Sequence, residues 1–231
     1  SIIQRTIQLD RNEKKNSEVV YGIKSMKKIL IVNNNLEMGG IQKSLTNLLK
    51  EIHNNYDITL LLFSKSGALL KDVPEGVKII TPSRCYRMLG LTKGEMLRYP
   101  LLFCIKFLLM KYASLFSRRN AMNILGLFQR KINGYDVVIS YSHLFGYKYF
   151  ANGCADFVLD KTLATLKICL VHCDYINSGT LSEQNNRRYS EFDKIACCSD
   201  SVRKRFLEGS HISSDKVVTL RNFYDLDIVK L

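Results

Sequence analysis

Against 34 lysines and arginines the chain sets only 21 aspartates and glutamates, a formal net charge of +13. A shortage of acid on that scale points to an anionic partner: nucleic acid, anionic lipid or a phosphorylated substrate. The seven cysteines are odd in number and contain no C-x-x-C pair. A disulfide framework is therefore not expected, and the thiols are read as those of a cytosolic protein. No Cys/His set has metal-ligand spacing, so neither a metal nor any other cofactor is expected. There is no G-x-G-x-x-G and no P-loop Lys-Ser/Thr ending, which weakens the dinucleotide and P-loop readings. The amino terminus lacks the apolar core and cleavage site of a signal peptide, so no export is implied. Internal repeats and low-complexity segments are missing as well. A nucleic-acid-binding module stays open only on charge, because no motif supports it and the aromatics form no stacking platform.

What is present is an α/β pattern. The 231 residues fit one large domain or two small ones, and 46% hydrophobic content suffices for a full core. In Lys27–Lys50, KKILIVNNNLEMGGIQKSLTNLLK, the apolar run Ile29–Val32 reads as a buried parallel strand. Gly39-Gly40 follows, and then Ile41, Leu45, Leu48 and Leu49 recur at helical spacing. Strand, glycine turn and helix open a doubly wound sheet, and the helix start beyond the glycines suits a phosphate or carboxylate. A glycine turn with no ligand is the competing reading.

Further strands are expected at Asp57–Phe63, Val77–Ile80, Val137–Ser140, Leu166–Val171, Lys194–Cys197 and Lys216–Leu220. Helices are expected over Asn123–Lys131, Ser182–Glu191 and Ser199–Glu208, the last with Ser199 as N-cap. The fold class is therefore α/β: a doubly wound, Rossmann-like parallel sheet covered on both faces. Met26 sits where a natural start would, and the polar residues 1–25 before it are read as a poorly ordered extension.

Ligands of such sheets bind beyond the carboxyl ends of the strands. That rule gathers the Gly39-Gly40 loop, the end at Ser142-His143 and the end at His172-Cys173-Asp174-Tyr175. His143 and His172 each follow a strand at this mouth, while His53 and His211 read as surface residues. A Cys-His protease is disfavoured, since Cys173 and His172 are neighbours in sequence and their side chains diverge after a strand.

Between Arg84 and Arg119 stand eight basic residues and one acid, Glu95. Among them lies Leu101–Phe116, LLFCIKFLLMKYASLF, too short and too interrupted to span a bilayer well. It is either a core helix whose lysines reach solvent or an interfacial helix on an anionic membrane. On the second reading Arg98, Lys106, Lys111, Arg118 and Arg119 face the membrane.

The residues also carry a resemblance. MKKILIVNNNLEMGGIQKSLTNLL and YDVVISYS resemble the amino-terminal domain of retaining family-four glycosyltransferases of the GT-B fold. KICLVHCDY with YSEFDKIACCSDSVRKRFLEGSHISSDKVVTLRNFYD is similar to the bacterial capsular and cell-surface polysaccharide type. The likeness runs in order from Met26 to Asp225, with Arg84–Arg130 matching only in general character. It implies two Rossmann-like domains around a cleft, the first for a glycan or lipid-linked acceptor, the second for a nucleotide-sugar donor. It divides the chain into an extension (1–25), an acceptor-side domain (26–221) and the start of an interdomain hinge (222–231). The donor domain then lies outside this sequence, whether through gene truncation, a cloned fragment or a split enzyme with a separate donor-domain chain. The chain alone would be inactive, cytoplasmic or peripheral on the inner face of the membrane. Gly39 and Gly40 match the family's glycine loop, and His172 a histidine that hydrogen-bonds the transferred sugar. Asp174 and Tyr175 continue that substrate-binding element, and Asn222 matches the hinge. His143 rests on position alone. Glu183 and Glu191 reproduce the family's Glu-x7-Glu spacing by accident, since they precede the sixth strand. A non-catalytic domain that docks on a membrane or a partner is the alternative reading.

Overall fold

Strands such as KILIVN, DITLLL and the second half of TLATLKICLV have no wet face, and they become the interior of a single sheet. The structure, a computed structural model, describes residues 26–146 and 149–223. The expected extension 1–25 and the hinge residues 224–231 lie outside the described residues. Seven strands pair in parallel throughout: β1 (Lys28–Asn33), β2 (Asp57–Leu62), β3 (Lys78–Ile80), β4 (Ile132–Ser140), β5 (Thr162–Val171), β6 (Lys194–Cys197) and β7 (Val217–Thr219). Their spatial order is β3-β2-β1-β4-β5-β6-β7. Three strands step outward one way and four the other, so the chain reverses direction between β1 and β4. This is the doubly wound, Rossmann-like class expected from the sequence.

Successive side chains point to opposite faces, and two cores result. Ile29, Ile31, Leu60, Leu62, Val137 and Ile139 pack against Leu45, Leu48, Leu49 and Ile52 of α1 (Gly40–Ile52). On the other face Leu30, Val32, Leu61, Val138, Cys169 and Val171 meet a layer of seven helices. These are α2 (Arg84–Arg87), α3 (Lys93–Leu97), α4 (Pro100–Leu115), α5 (Arg118–Gly126), α6 (Cys154–Lys161), α7 (Glu183–Ser190) and α8 (Asp200–Ser210). Tyr86, Phe63 and Phe157 form an aromatic knot under that layer, and Tyr175, Tyr189 and Phe206 form a second. Ser182 and Ser199 accept N–H bonds from Asn185 and Val202, capping α7 and α8. All seven cysteines are free thiols.

Local departures from the sequence reading have local causes. The helix expected over Asn123–Lys131 begins at Arg118 and ends at Gly126, because the Ser117 hydroxyl accepts the Asn120 N–H and starts it a turn and a half earlier. β4 and β5 begin at Ile132 and Thr162, where their early residues pair with each other, and a register shift there includes Gly134 in the left-handed region at φ 86°. Helix α6 was not foreseen; it starts from two consecutive left-handed residues, Asn152 and Gly153.

Leu101–Phe116 does form a helix, but the core reading covers only one stripe of it. Leu109 (9% exposed) and Ala113 (0%) are buried, with Leu102, Ile105 and Tyr112 packed beside them, whereas Leu101, Leu108 and Leu115 are 72%, 66% and 75% exposed. The proposed membrane-facing set needs correction too. Arg98, Lys111 and Arg119 are exposed. Arg118 is buried and ion-paired with Asp156, and the Lys106 ammonium turns inward to donate to the Met88 carbonyl at 3.0 Å. A stem long enough to reach either partner lets the sheltered carboxylate or carbonyl capture the cation. Among the described residues no helix is long and apolar enough to cross a membrane.

Candidate functional site

The strand order sets β1, β4 and β5 side by side, so their carboxyl ends open together at the point where the sheet reverses. Segments more than 130 residues apart in sequence, Gly39-Gly40 and His172, thus serve one edge. The loop leaving β1 is held rigidly. Gly67 sits at φ 116° with the Leu36 backbone pressed against it: a Cβ there would lie 2.0 Å from the Leu36 carbonyl carbon. Leu36 N–H donates to the Ser66 carbonyl, and Asn35 Nδ2 donates to the Gly90 carbonyl. Only glycine fits at position 67, for conformation and space together.

Gly39 and Gly40 behave differently. Gly39 is extended (φ −179°), a conformation open to any residue, and a Cβ on Gly40 would meet nothing within 4 Å. Neither turn geometry nor packing therefore calls for glycine at position 40. No side chain caps α1, and its first N–H groups face the mouth with the positive end of the helix dipole behind them.

Tyr141, immediately beyond β4, joins the three segments. Its hydroxyl lies 3.0 Å from Ser44 Oγ on α1, and its ring lies 5.4 Å from that of His172 at the end of β5. Ser44 also donates to Asn222 Oδ1 (3.3 Å) and accepts the Phe223 N–H (3.3 Å), while Asn47 Nδ2 donates to the Phe223 carbonyl. The chain leaving β7 thus returns to α1 beside the site. Tyr141 and Ser44 were missed at the sequence level. The signal was present, since Tyr141 directly follows a strand, but a tyrosine in that place also reads as core.

His172 is half-buried. Both of its ring nitrogens are shut from solvent and make no hydrogen bond of ordinary geometry, and Nδ1 of His143 is in the same condition. Burial holds the His172 imidazole down to about 4, with the Tyr141 backbone pulling slightly the other way. Burial also brings His143 down to about 4, helped by the charges of His172 and Arg118. The two rings are close enough for a proton on one to disfavour a proton on the other, and Phe145 stacks on His143 at 5.1 Å. Both are neutral at pH 7, each ring then offering one donor and one acceptor nitrogen.

Two other predicted site residues are drawn away. Tyr175 is fully buried between Tyr189 and Phe206, and its hydroxyl donates to Asn186 Oδ1 at 2.7 Å. It belongs to the core because β5 ends and turns inward there. Asp174 accepts from the Ile176 and Asn177 backbones, from Asn177 Nδ2 and from Arg205, which holds its carboxylate below the usual range despite partial desolvation. It shapes the turn after His172. Of the surface histidines, His211 is exposed at the left-handed end of α8, and His53 turns its ring toward the Leu49 and Lys50 carbonyls. Glu183 and Glu191 pair with Arg187 and Arg188, away from the mouth. Among the described residues no three His, Cys, Asp or Glu side chains are grouped to hold a metal ion.

No protein-family model matches the chain, and no curated protein matches it. Among solved structures it is similar to HepE of Anabaena in complex with UDP and glucose, at 14% identity and a TM-score of 0.49 over 88% of this chain and 46% of that one. A glycosyltransferase from Rickettsia africae matches at 11% and 0.41 over 85% of this chain and 43% of the other. An alpha-glucosyltransferase in complex with UDP and mismatched DNA matches at 16% and 0.40 over 90% and 42%. The chain spans less than half the length of each of these structures.

Proposed function

We propose that this chain is the acceptor-side half of a retaining glycosyltransferase. It would move a sugar from a nucleotide-sugar to a glycan or lipid-linked acceptor in cell-surface polysaccharide synthesis. The resemblance of KKILIVNNNLEMGG, KICLVHCDY and the NFYD element supplies the family. The observation that carries the reading is the convergence of the open position at Gly40, Tyr141, His143 and His172 at the switch point, with buried ring nitrogens that make no hydrogen bond of ordinary geometry among the described residues.

The chemistry asked of such an edge is modest and specific. As the donor's glycosidic bond breaks, negative charge grows on the departing phosphate and positive charge on the sugar. The uncapped N–H groups at Gly40 would meet the phosphate. Neutral His172 would hydrogen-bond the sugar as it flattens, its ring fixed by Tyr141. Asp174 is engaged by its own turn and by Arg205, so it is not put forward as a nucleophile. The donor would be held by a second domain following Asn222-Phe223. The bond of Asn222 to Ser44 would then let closure of that domain pull on α1 beside the reacting phosphate.

The test uses a polypeptide that carries the donor-binding domain beyond the NFYD element. There His172→Ala is expected to lower kcat about a hundredfold, the scale of one transition-state hydrogen bond. Gly40→Val is expected to raise KM for the nucleotide-sugar while leaving the melting temperature within a degree or two. Loss of stability with full specific activity in the His172 variant would make the residue structural and overturn the assignment.

A further inference from the structure

The face of α4 turned away from the sheet has an unusual composition. Leu102, Ile105, Leu109, Tyr112 and Ala113 form the stripe that packs inward. The opposite side presents Leu101, Phe103, Phe107, Leu108, Met110 and Leu115 to solvent, with Lys111 over the Phe107 ring as the cation among them. A helix apolar on both sides needs a second apolar surface. Where this face begins, a cavity of about 660 Å³ opens, lined by Arg84, Arg87 and Arg98 together with Leu91, Tyr99, Leu101 and Leu102. Among the described residues none of the three guanidinium groups makes an ion pair or a side-chain hydrogen bond, and Arg87 Nε is shut from solvent with no described partner. Glu95, the one acid in the sequence between Arg84 and Arg119, is occupied in the capping box with Thr92. Three uncompensated arginines over a leucine wall match a phosphate whose other substituent is apolar.

We propose that this cavity takes the headgroup phosphate of an anionic phospholipid, with the outer face of α4 seated in the interfacial region of the bilayer. A second copy of the chain fits poorly there, because a twofold contact would bring two sets of unpaired arginines together, whereas a lipid surface supplies the missing negative charge. The inference goes beyond the transfer reading and does not rest on it: vesicle binding requires no donor, no acceptor and no His172.

The chain is expected to cosediment with vesicles of phosphatidylcholine mixed with phosphatidylglycerol and not with phosphatidylcholine alone. Arg84→Gln, Arg87→Gln and Arg98→Gln combined should weaken that binding about a hundredfold, from roughly fivefold per arginine. Lys50→Gln, Lys71→Gln and Lys204→Gln combined remove equal charge elsewhere and should cost far less. The chain contains no tryptophan, so Leu108→Trp provides a single probe whose emission should shift to the blue on the anionic vesicles. Several results would overturn the proposal. They are equal loss in the two triple variants, no emission shift, equal binding to both vesicle types, or inorganic phosphate displacing the chain at concentrations that leave ionic strength unchanged. A dimer broken by Leu108→Ser, without vesicle binding, would assign the face to a second copy instead.

Discussion

Single residues carry the site, and their ionisation makes it measurable. His143 and His172 are both held near 4 in the fold, while an unfolded chain protonates them near 6.5. Between these values the unfolded state binds more protons, so stability is complete above pH 6.5 and falls as the pH drops toward 4. The slope is at most about 1.4 kcal/mol per pH unit for each histidine. Thermal melts of the wild type and of His172→Asn across that window should diverge, the variant losing less stability on acidification. Removing His172 also relieves His143, so the flattening should exceed that of one independent group. Parallel curves would place both rings in water and remove the reason for their orphaned nitrogens. The same logic separates the glycines. Gly67 answers to its own backbone and to Leu36, whereas among the described residues nothing comes within 4 Å of a Cβ at Gly40.

At the level of elements, a buried ion cluster ties three helices of one layer together. Arg118 of α5 pairs with Asp156 of α6, and Arg188 of α7 reaches Asp156 at 3.6 Å, Asp160 at 2.8 Å and Glu191 at 2.9 Å. Desolvating these charges is costly, and the arrangement persists because each buried guanidinium keeps a carboxylate. Asp156→Asn deprives Arg118 of its ion-pair partner and should cost about 3 kcal/mol or more in chemical denaturation. Asp160→Asn should cost much less, because its side chain is 29% exposed and Arg188 retains two other acids. Equal costs would show that the cluster is not the clamp. This cluster also explains why Arg118 could not be placed from sequence: beside Arg119 at the end of an apolar run it looks like a surface cation, and its partner lies 38 residues away in a helix the pattern did not reveal. Leu101–Phe116 failed in a related way. Hydrophobicity announces that a helix wants apolar surroundings, but not how many of its sides the rest of the protein can cover.

Across the whole molecule, protection should follow position in the sheet. β1, β4 and β5 have hydrogen-bonded neighbours on both edges and packed cores on both faces, while β3 and β7 close the sheet with three residues each. Native-state hydrogen exchange is expected to be slowest in Ile29–Val32, Val137–Ile139 and Ile168–Val171, and to approach the global unfolding limit only there. Faster exchange in β1 than in β7 would contradict the central placement of the switch point. The sequence by itself determined the strands, the two-sided burial and the helix that follows Gly39, because those follow from runs and periods within about a dozen neighbouring residues. It also located His143 and His172 at strand ends, since a strand's direction fixes where its last residue emerges. Only the tertiary structure decided that β1, β4 and β5 are adjacent, that Tyr141 couples Ser44 to His172, that Tyr175 turns into the core, and that three arginines converge at the start of α4 with no ion-pair partner among the described residues. Those outcomes depend on which distant partner reaches a side chain first and on how much of a helix its neighbours can cover. Both are properties of packing in three dimensions that no local pattern encodes.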